Sequence, residues 1–317
     1  MIRMPNMLSK PTLQRFLFVA GIVAISLLAI QPFTLNQMPE TADGLLHLYR
    51  GASVDYALKV ENPLWSRFTT GIVYGYGAPL YNYFPPLSYY PVSWFHTLGL
   101  TFVQSWLMTM VLYSVVSAVG MFLLGRLWTH SNVGGWISAI AYIYAPYFLF
   151  DSVARGTSSE LAALSILPFA LYGFTRLAFY GRRFDLLVAV GAYALFIPMH
   201  TIMTLHGTLL IGVYCLFLLL ISEDRKRLFF RLLLAGGLAL GLTTFFWMPA
   251  FLETGAVKIN LIVENLNQID VTRHLRPLHE ILAPPFTSDP TQMAQPVPIT
   301  LSWVQLIVSA FGLTFAW

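Results

Sequence analysis

Long, nearly continuous apolar runs separated by short polar joints dominate the chain. They fall near residues 16 to 35, 100 to 125, 134 to 150, 161 to 180, 185 to 199, 206 to 221, 230 to 251 and 299 to 317. Strands of a membrane barrel would be short segments alternating every second residue, whereas runs of roughly 20 apolar residues match helices that cross a bilayer. The pattern therefore predicts an all-α polytopic membrane protein with about eight transmembrane helices. One stretch, from Phe184 to Leu220, is long enough for a single helix, but basic clusters flank it on both sides: Arg182 and Arg183 before it, Arg225, Lys226 and Arg227 after it. Basic residues favour the cytoplasmic side of a membrane, so two crossings joined by a turn around Pro198, Met199 and His200 are expected.

Composition agrees with the pattern. Of the 317 residues, 57% are hydrophobic and only 10% charged, and the mean hydropathy is +0.67. Soluble domains carry roughly 25% charged residues, so this chain has more apolar surface than a soluble fold could bury. The single cysteine, Cys215, lies inside an apolar run and excludes both an intramolecular disulfide and a paired-cysteine metal or redox site. Arg3, Lys10 and Arg15 precede the first run, as in a signal peptide. That run is long for a signal sequence, however, and no small-x-small cleavage site follows it, so a retained first helix is expected. The chain ends at Trp317 within an apolar run, which reads as a single transmembrane domain over 1–317 and as the N-terminal fragment of a longer chain.

Charge supplies the orientation. With the N-terminus cytoplasmic, Arg126, Arg176, Arg182, Arg183, Arg225, Lys226, Arg227 and Arg231 all fall on the inner side with the N-terminal basic residues, and most acidic residues fall on the other. Two long loops then lie outside, from about 36 to 93 and from about 253 to 300. Loops of that length are functional or disordered. The first, which contains GYGAPLYNYFPPLSYYP, is too aromatic for disorder. Its tyrosines also suit a headgroup-level belt.

Two short polar constellations stand at the outer ends of the runs. In TADGLLHLYR, residues 41 to 50, a helix would put His47 four residues and Arg50 seven residues beyond Asp43, on one face. Asp43 reads either as a general base or as a helix N-cap; His47 as a substrate contact or a hydrogen-bonded interfacial histidine; Arg50 as a substrate contact or a partner for lipid phosphates. In DSVARGTSSE, residues 151 to 160, Arg155 suits a phosphate because a guanidinium offers two parallel hydrogen bonds. Glu160 reads as a substrate contact or as part of a cap begun by Thr157 or Ser158. His200 and His206 stand near the same face, six residues apart, a spacing that does not suit a zinc pair on a helix, and His200 is a candidate for lining the pocket. TRHLRPLHE, with Arg273, His274, Arg276, His279 and Glu280, suits acceptor or headgroup contact, or a solvated loop.

The succession of one helix, a long loop with an acid at its start, and paired helices with short turns, carrying DGLLHLYR, GYGAPLYNYFPPLSYY and RGTSSE, resembles the GT-C class of membrane glycosyltransferases. Within it, the chain most resembles the large bacterial membrane proteins of the family named for its relation to 6-pyruvoyl-tetrahydropterin synthase. The resemblance implies a polyprenyl-phosphate sugar as donor and an acid of the first outer loop as the catalytic residue, a position matched here by Asp43. Asp43 is followed by Gly44 and Leu45 rather than by a DxD pair, so the cofactor is left unknown, with room for a divalent metal.

These readings lead to one functional expectation: transfer of a sugar from a polyprenyl phosphate to an extracytoplasmic glycan, lipid or protein acceptor, in a bacterial-type cytoplasmic membrane. The expected partners are the bilayer, the lipid-linked sugar and the acceptor. Two other classes stand beside it, a secondary transporter or lipid flippase and a non-catalytic membrane assembly subunit. Transporters place ionisable groups at mid-membrane and often show inverted repeats, and neither feature is evident in the sequence. No Walker A, GxGxxG, GxSxG or HExxH sequence occurs, and the net charge of +4 belongs to the inner joints rather than to a nucleic-acid surface.

Overall fold

A backbone removed from water satisfies its own N–H and C=O groups most simply as a helix, and helices make up most of the described residues. The computed structural model describes residues 11–62, 64–69, 71–258, 275, 277–282, 300, 301, 303, 305–307 and 310. Among the described residues the only pairing of strand type is an isolated bridge between Thr69 and Ala78. The elements are α1 (Pro11–Ala29), α2 (Gly44–Val60), the short α3 (Leu80–Tyr83) and α4 (Tyr90–Thr97), α5 (Phe102–Thr129), α6 (Asn132–Ile143), α7 (Pro146–Leu149), a π-helical turn (Phe150–Arg155), α8 (Ser158–Phe179), α9 (Arg183–Phe196), α10 (Thr201–Ile221), α11 (Arg225–Leu242) and α12 (Thr244–Leu252).

Helices stand at seven of the eight expected positions. By length and composition three of them can cross a membrane, α5, α8 and α10, or up to five when two bent pairs each count as one span. The bent pairs are α6 with Pro146–Arg155, at 51°, and α11 with α12, at 69°. The apolar part of α1, Leu13–Ala29, is shorter than these. At 14 residues, α9 is about 21 Å long, short of a hydrocarbon core of about 30 Å. The run near 299 to 317 lies mostly outside the described residues. The stretch from Phe184 to Leu220 does divide: α9 ends at Phe196, and α10 starts at Thr201 after a turn through Pro198.

The core sits between α5 and α8, whose apolar windows are 56% and 67% buried, against 17% for α10 at the periphery. Side chains shrink to glycine where helices approach most closely. A Cβ on Gly173 of α8 would lie 2.7 Å from the Ala189 backbone of α9. Successive helices run up and down, so 36 to 44, the start of α5, 150 to 160, the start of α10 and the end of α12 share one end of the bundle. Gln104 donates to Asn36, Thr201 to the Tyr83 carbonyl and Tyr83 to the Glu253 carbonyl. The other end carries the basic turn in which Arg176 holds the buried Asp185 at 2.7 Å.

The long first loop is folded. Its α2 packs on α4, with buried Asp55 taking bonds from Lys59 and from Ser93 of α4, and Val54, Tyr81 and Tyr89 form a small core of their own.

Prolines inside the helices free carbonyls that distant side chains recover. Pro168 has no N–H for the Leu164 carbonyl, four residues earlier, and the hydroxyl of Tyr142 on α6 donates to that carbonyl at 2.8 Å. Pro249 likewise leaves the Phe245 carbonyl open, and Arg67 of the first loop fills it at 2.9 Å. Tyr142→Phe should therefore cost about 1–3 kcal/mol, the penalty of a buried acceptor left unpaired. In the Pro168→Ala background, where the introduced alanine supplies the missing N–H, the same change should cost clearly less. Thermal unfolding of the four proteins in detergent measures the difference, and equal costs in both backgrounds would disprove the pairing.

Candidate active site

The two constellations read from the sequence meet at one end of the bundle, held together by their backbones before any side chain is considered. The Ala42 N–H donates to the Ala154 carbonyl at 3.1 Å, and the Asp43 N–H to the Arg155 carbonyl at 2.7 Å. The turn leaves the π-helical segment through Gly156, whose φ of +72° an L side chain rarely adopts. A Cβ there would also lie 2.6 Å from Thr41 Oγ1. Glycine at 156 thus lets the start of the first loop lie against this turn.

Arg155 stands at the centre. Its Nη2 meets Asp43 Oδ2 at 3.3 Å, and its Nη1 meets both Asp151 Oδ1 at 3.1 Å and Glu160 Oε2 at 2.9 Å. Three carboxylates from three segments share one guanidinium. Asp151 is fully buried; Asp43 and Arg155 are about one-third exposed, at 35% and 34%. Thr157 donates to Asp151 Oδ1 at 2.6 Å, Tyr147 donates to Glu160, and Asp151 Oδ2 is buried with no hydrogen-bond partner among the described residues. Asp43 Oδ1 makes no hydrogen bond among the described residues, and the Nε–H and one Nη2 N–H of the partly exposed Arg155 are likewise not engaged among them.

The capping alternatives resolve differently from the sequence reading. Asp43 does occupy the N-cap position of α2, but its side chain makes no capping bond. Thr41 Oγ1 accepts the Gly44 N–H instead, at 3.2 Å. Thr157 precedes α8 without capping it, because its hydroxyl is used on Asp151.

His47 follows one turn after Asp43 and is buried, with Nδ1 2.7 Å from the Tyr89 hydroxyl. Burial, reinforced by Arg50, His200 and Arg155, depresses its pKa from 6.5 to about 3, so the ring is neutral at physiological pH. Arg50 lies over the Phe84 ring, 4.1 Å from its centroid, and forms no salt bridge with a carboxylate among the described residues. His200 caps α10, Nδ1 accepting the Met203 N–H at 3.1 Å, and its ring meets Phe84 edge-on at 5.8 Å. Burial lowers its pKa too; Glu160 opposes that, while Arg155 and Arg50 add to it.

All six residues singled out in the sequence, Asp43, His47, Arg50, Arg155, Glu160 and His200, therefore gather in one region. His206 is exposed on α10. Arg273, His274 and Arg276 lie outside the described residues, and His279 and Glu280 sit on the one-turn helix Leu278–Ile281. Sequence reasoning missed Tyr89, read only as a belt tyrosine of the first loop, Tyr147, which lay unremarked in an expected span, and the burial of Asp151. No group of three or more His, Cys, Asp or Glu among the described residues is arranged to hold a metal ion. Arg155 itself occupies the point on which the three carboxylates converge.

The family model for the 6-pyruvoyl-tetrahydropterin synthase related domain of membrane proteins matches residues 81–288. The chain belongs to this family. The family match takes in Tyr89, Arg155, Glu160 and His200, while Asp43, His47 and Arg50 precede it. No curated protein matches the chain.

The shared guanidinium makes a measurable demand. Arg155→Met would leave buried Asp151 unpaired, a loss that costs about 3–5 kcal/mol for a fully buried pair and falls at the lower end here because Arg155 is partly exposed. Adding Asp151→Asn should recover much of that loss, as denaturation midpoints would show. A double variant no more stable than Arg155→Met would refute the pairing.

Proposed function

We propose that this family member is a membrane glycosyltransferase of GT-C type, which moves a sugar from a polyprenyl phosphate to an acceptor hydroxyl outside a bacterial-type cytoplasmic membrane. The reading includes eight spans, with α1, α9 and the run near 299 to 317 completing the set, and a cytoplasmic N-terminus. The observation that carries it is the convergence of Asp43, Arg155 and Glu160 with His47, Arg50 and His200 at the ends of apolar helices. A lipid whose tail lies in the bilayer would present its phosphate at that level. A transporter would instead need its ionisable groups at mid-membrane, and this cluster stands at helix ends.

Asp43 is suited to act as general base. Arg155 holds Oδ2 and fixes the carboxylate, while Oδ1 is available to take the proton of the acceptor hydroxyl. As that oxygen attacks the anomeric carbon, the bond from carbon to phosphate oxygen breaks, and the polyprenyl phosphate leaves with the electron pair. Arg50, with no carboxylate to neutralise it, and the two remaining N–H groups of Arg155 are the donors suited to the departing phosphate. Glu160 and Asp151 hold Arg155 in place from behind. The step needs no metal, since Arg155 already engages all three carboxylates.

Asp43→Asn keeps the shape and an acceptor for Arg155 but removes the base. Thermal stability should shift little, since a partly exposed ion pair contributes roughly 0–1 kcal/mol. Transfer from a labelled polyprenyl-phosphate sugar should fall by about 10² to 10⁴-fold. Full transfer by the purified variant would remove Asp43 from the chemistry.

A further inference from the structure

Two histidines of the cluster have the same ring nitrogen engaged. His200 Nδ1 accepts a backbone N–H from Met203, and a backbone N–H can only donate, so Nδ1 carries a lone pair and the proton of the neutral ring stands on Nε2. His47 Nδ1 meets the Tyr89 hydroxyl at 2.7 Å, and here the direction has to be argued. Tyr89 is fully buried, and its hydroxyl makes no other hydrogen bond among the described residues. A buried O–H left without an acceptor is costly, and His47 Nδ1 is the acceptor in reach, so the Tyr89 O–H donates to it. This again leaves the proton on Nε2, which has no protein partner among the described residues.

The Phe84 ring ties the group together: it lies under Arg50 and against Tyr89 and His200, at 4.1, 6.4 and 5.8 Å. We propose that His47 and His200 form a pair of tautomer-fixed neutral Nε2–H donors which, with Arg50, grip the oxygens of a phosphate ester, and that Tyr89 is a positioning residue that sets the His47 tautomer. The phosphate ester rests on the glycosyl-transfer reading; the tautomers do not. Neutral donors suit the task because two added positive charges beside Arg50 and Arg155 would repel one another in a buried site, whereas oriented N–H dipoles stabilise an anion without that penalty. Burial keeps the rings neutral: on His47 the charges of Arg50, His200 and Arg155 add to it, and on His200 Glu160 opposes it while Arg155 and Arg50 add to it.

The test is nitrogen NMR of the purified full chain in micelles with ¹⁵N-labelled histidine, assigned with His47→Gln and His200→Gln. His47 should hold the neutral Nε2–H form between about pH 5 and 8, the range in which an ordinary histidine titrates, and His200 should show the neutral Nε2–H form at neutral pH and titrate below the ordinary histidine value. Tyr89→Phe should convert His47 alone to a mixture of tautomers. Hexadecyl phosphate, used as the probe, should shift both Nε2 signals in the native protein. An Nδ1–H tautomer at either ring, or titration near the ordinary value, would overturn the assignment of the donors; unmoved signals with hexadecyl phosphate would overturn the phosphate grip. The wild-type spectra decide the tautomers even if Tyr89→Phe does not fold. A protein that shows these shifts yet transfers no sugar would keep the grip and lose the glycosyl-transfer reading.

Discussion

One guanidinium shared by three carboxylates holds this end of the protein together. Arg155 takes Asp43 from the first loop, Asp151 from its own turn and Glu160 from the first turn of α8. Removing water from an acid costs several kcal/mol unless a counter-charge and hydrogen bonds replace the solvent. Here one cation, one threonine and one tyrosine do so for two buried or nearly buried acids. The backbone bonds of Ala42 and Asp43 to the same turn place the partly exposed third acid beside them. The register of the first loop, the exit of the broken sixth helix and the start of α8 are thereby fixed at one point.

The rest of the bundle is apolar, and its irregularities are repaired locally. Pro168 and Pro249 each remove a helical donor, and Tyr142 and Arg67 each supply one from a separate element. The break between α11 and α12 is sealed in the same way, with the Thr244 and Trp247 side chains donating to the Leu240 carbonyl and Thr243 to the Ala239 carbonyl. Kinks that bring helix ends toward the site therefore do not leave bare carbonyls in an apolar setting. Charged groups are gathered at the two ends: the Arg155 cluster at one, the Arg176 and Asp185 pair at the other.

Much of this was legible in the residues because it rests on strong, local signals. Unbroken apolar runs gave the helices, the basic flanks of 184 to 220 gave the turn at Pro198, and the aromatic density of the first loop marked it as ordered. Short polar motifs at the ends of runs pointed to Asp43 and Arg155, which an alternating helix topology brings together. Other features depended on three-dimensional choices that no spacing encodes. Thr41 and Asp43 both stand near the start of α2, and Thr41, not Asp43, takes the Gly44 N–H. Tyr89 and Tyr147 look like their neighbours in sequence; only packing turns one to His47 and the other to Glu160. The run from 134 to 150 passes through Pro146, which disfavours helix at the residue before it, and the helix bends there by 51°.

Family membership and a helical membrane fold do not by themselves name a reaction; the proposed chemistry rests on the cluster around Arg155. The most direct measurement of its central role is the release of free polyprenyl phosphate by the purified, folded wild-type protein from a panel of labelled lipid-linked sugars in the presence of acceptor. The account predicts that at least one donor is consumed, with free polyprenyl phosphate and glycosylated acceptor formed in equal amounts. Recovery of every donor intact would contradict it.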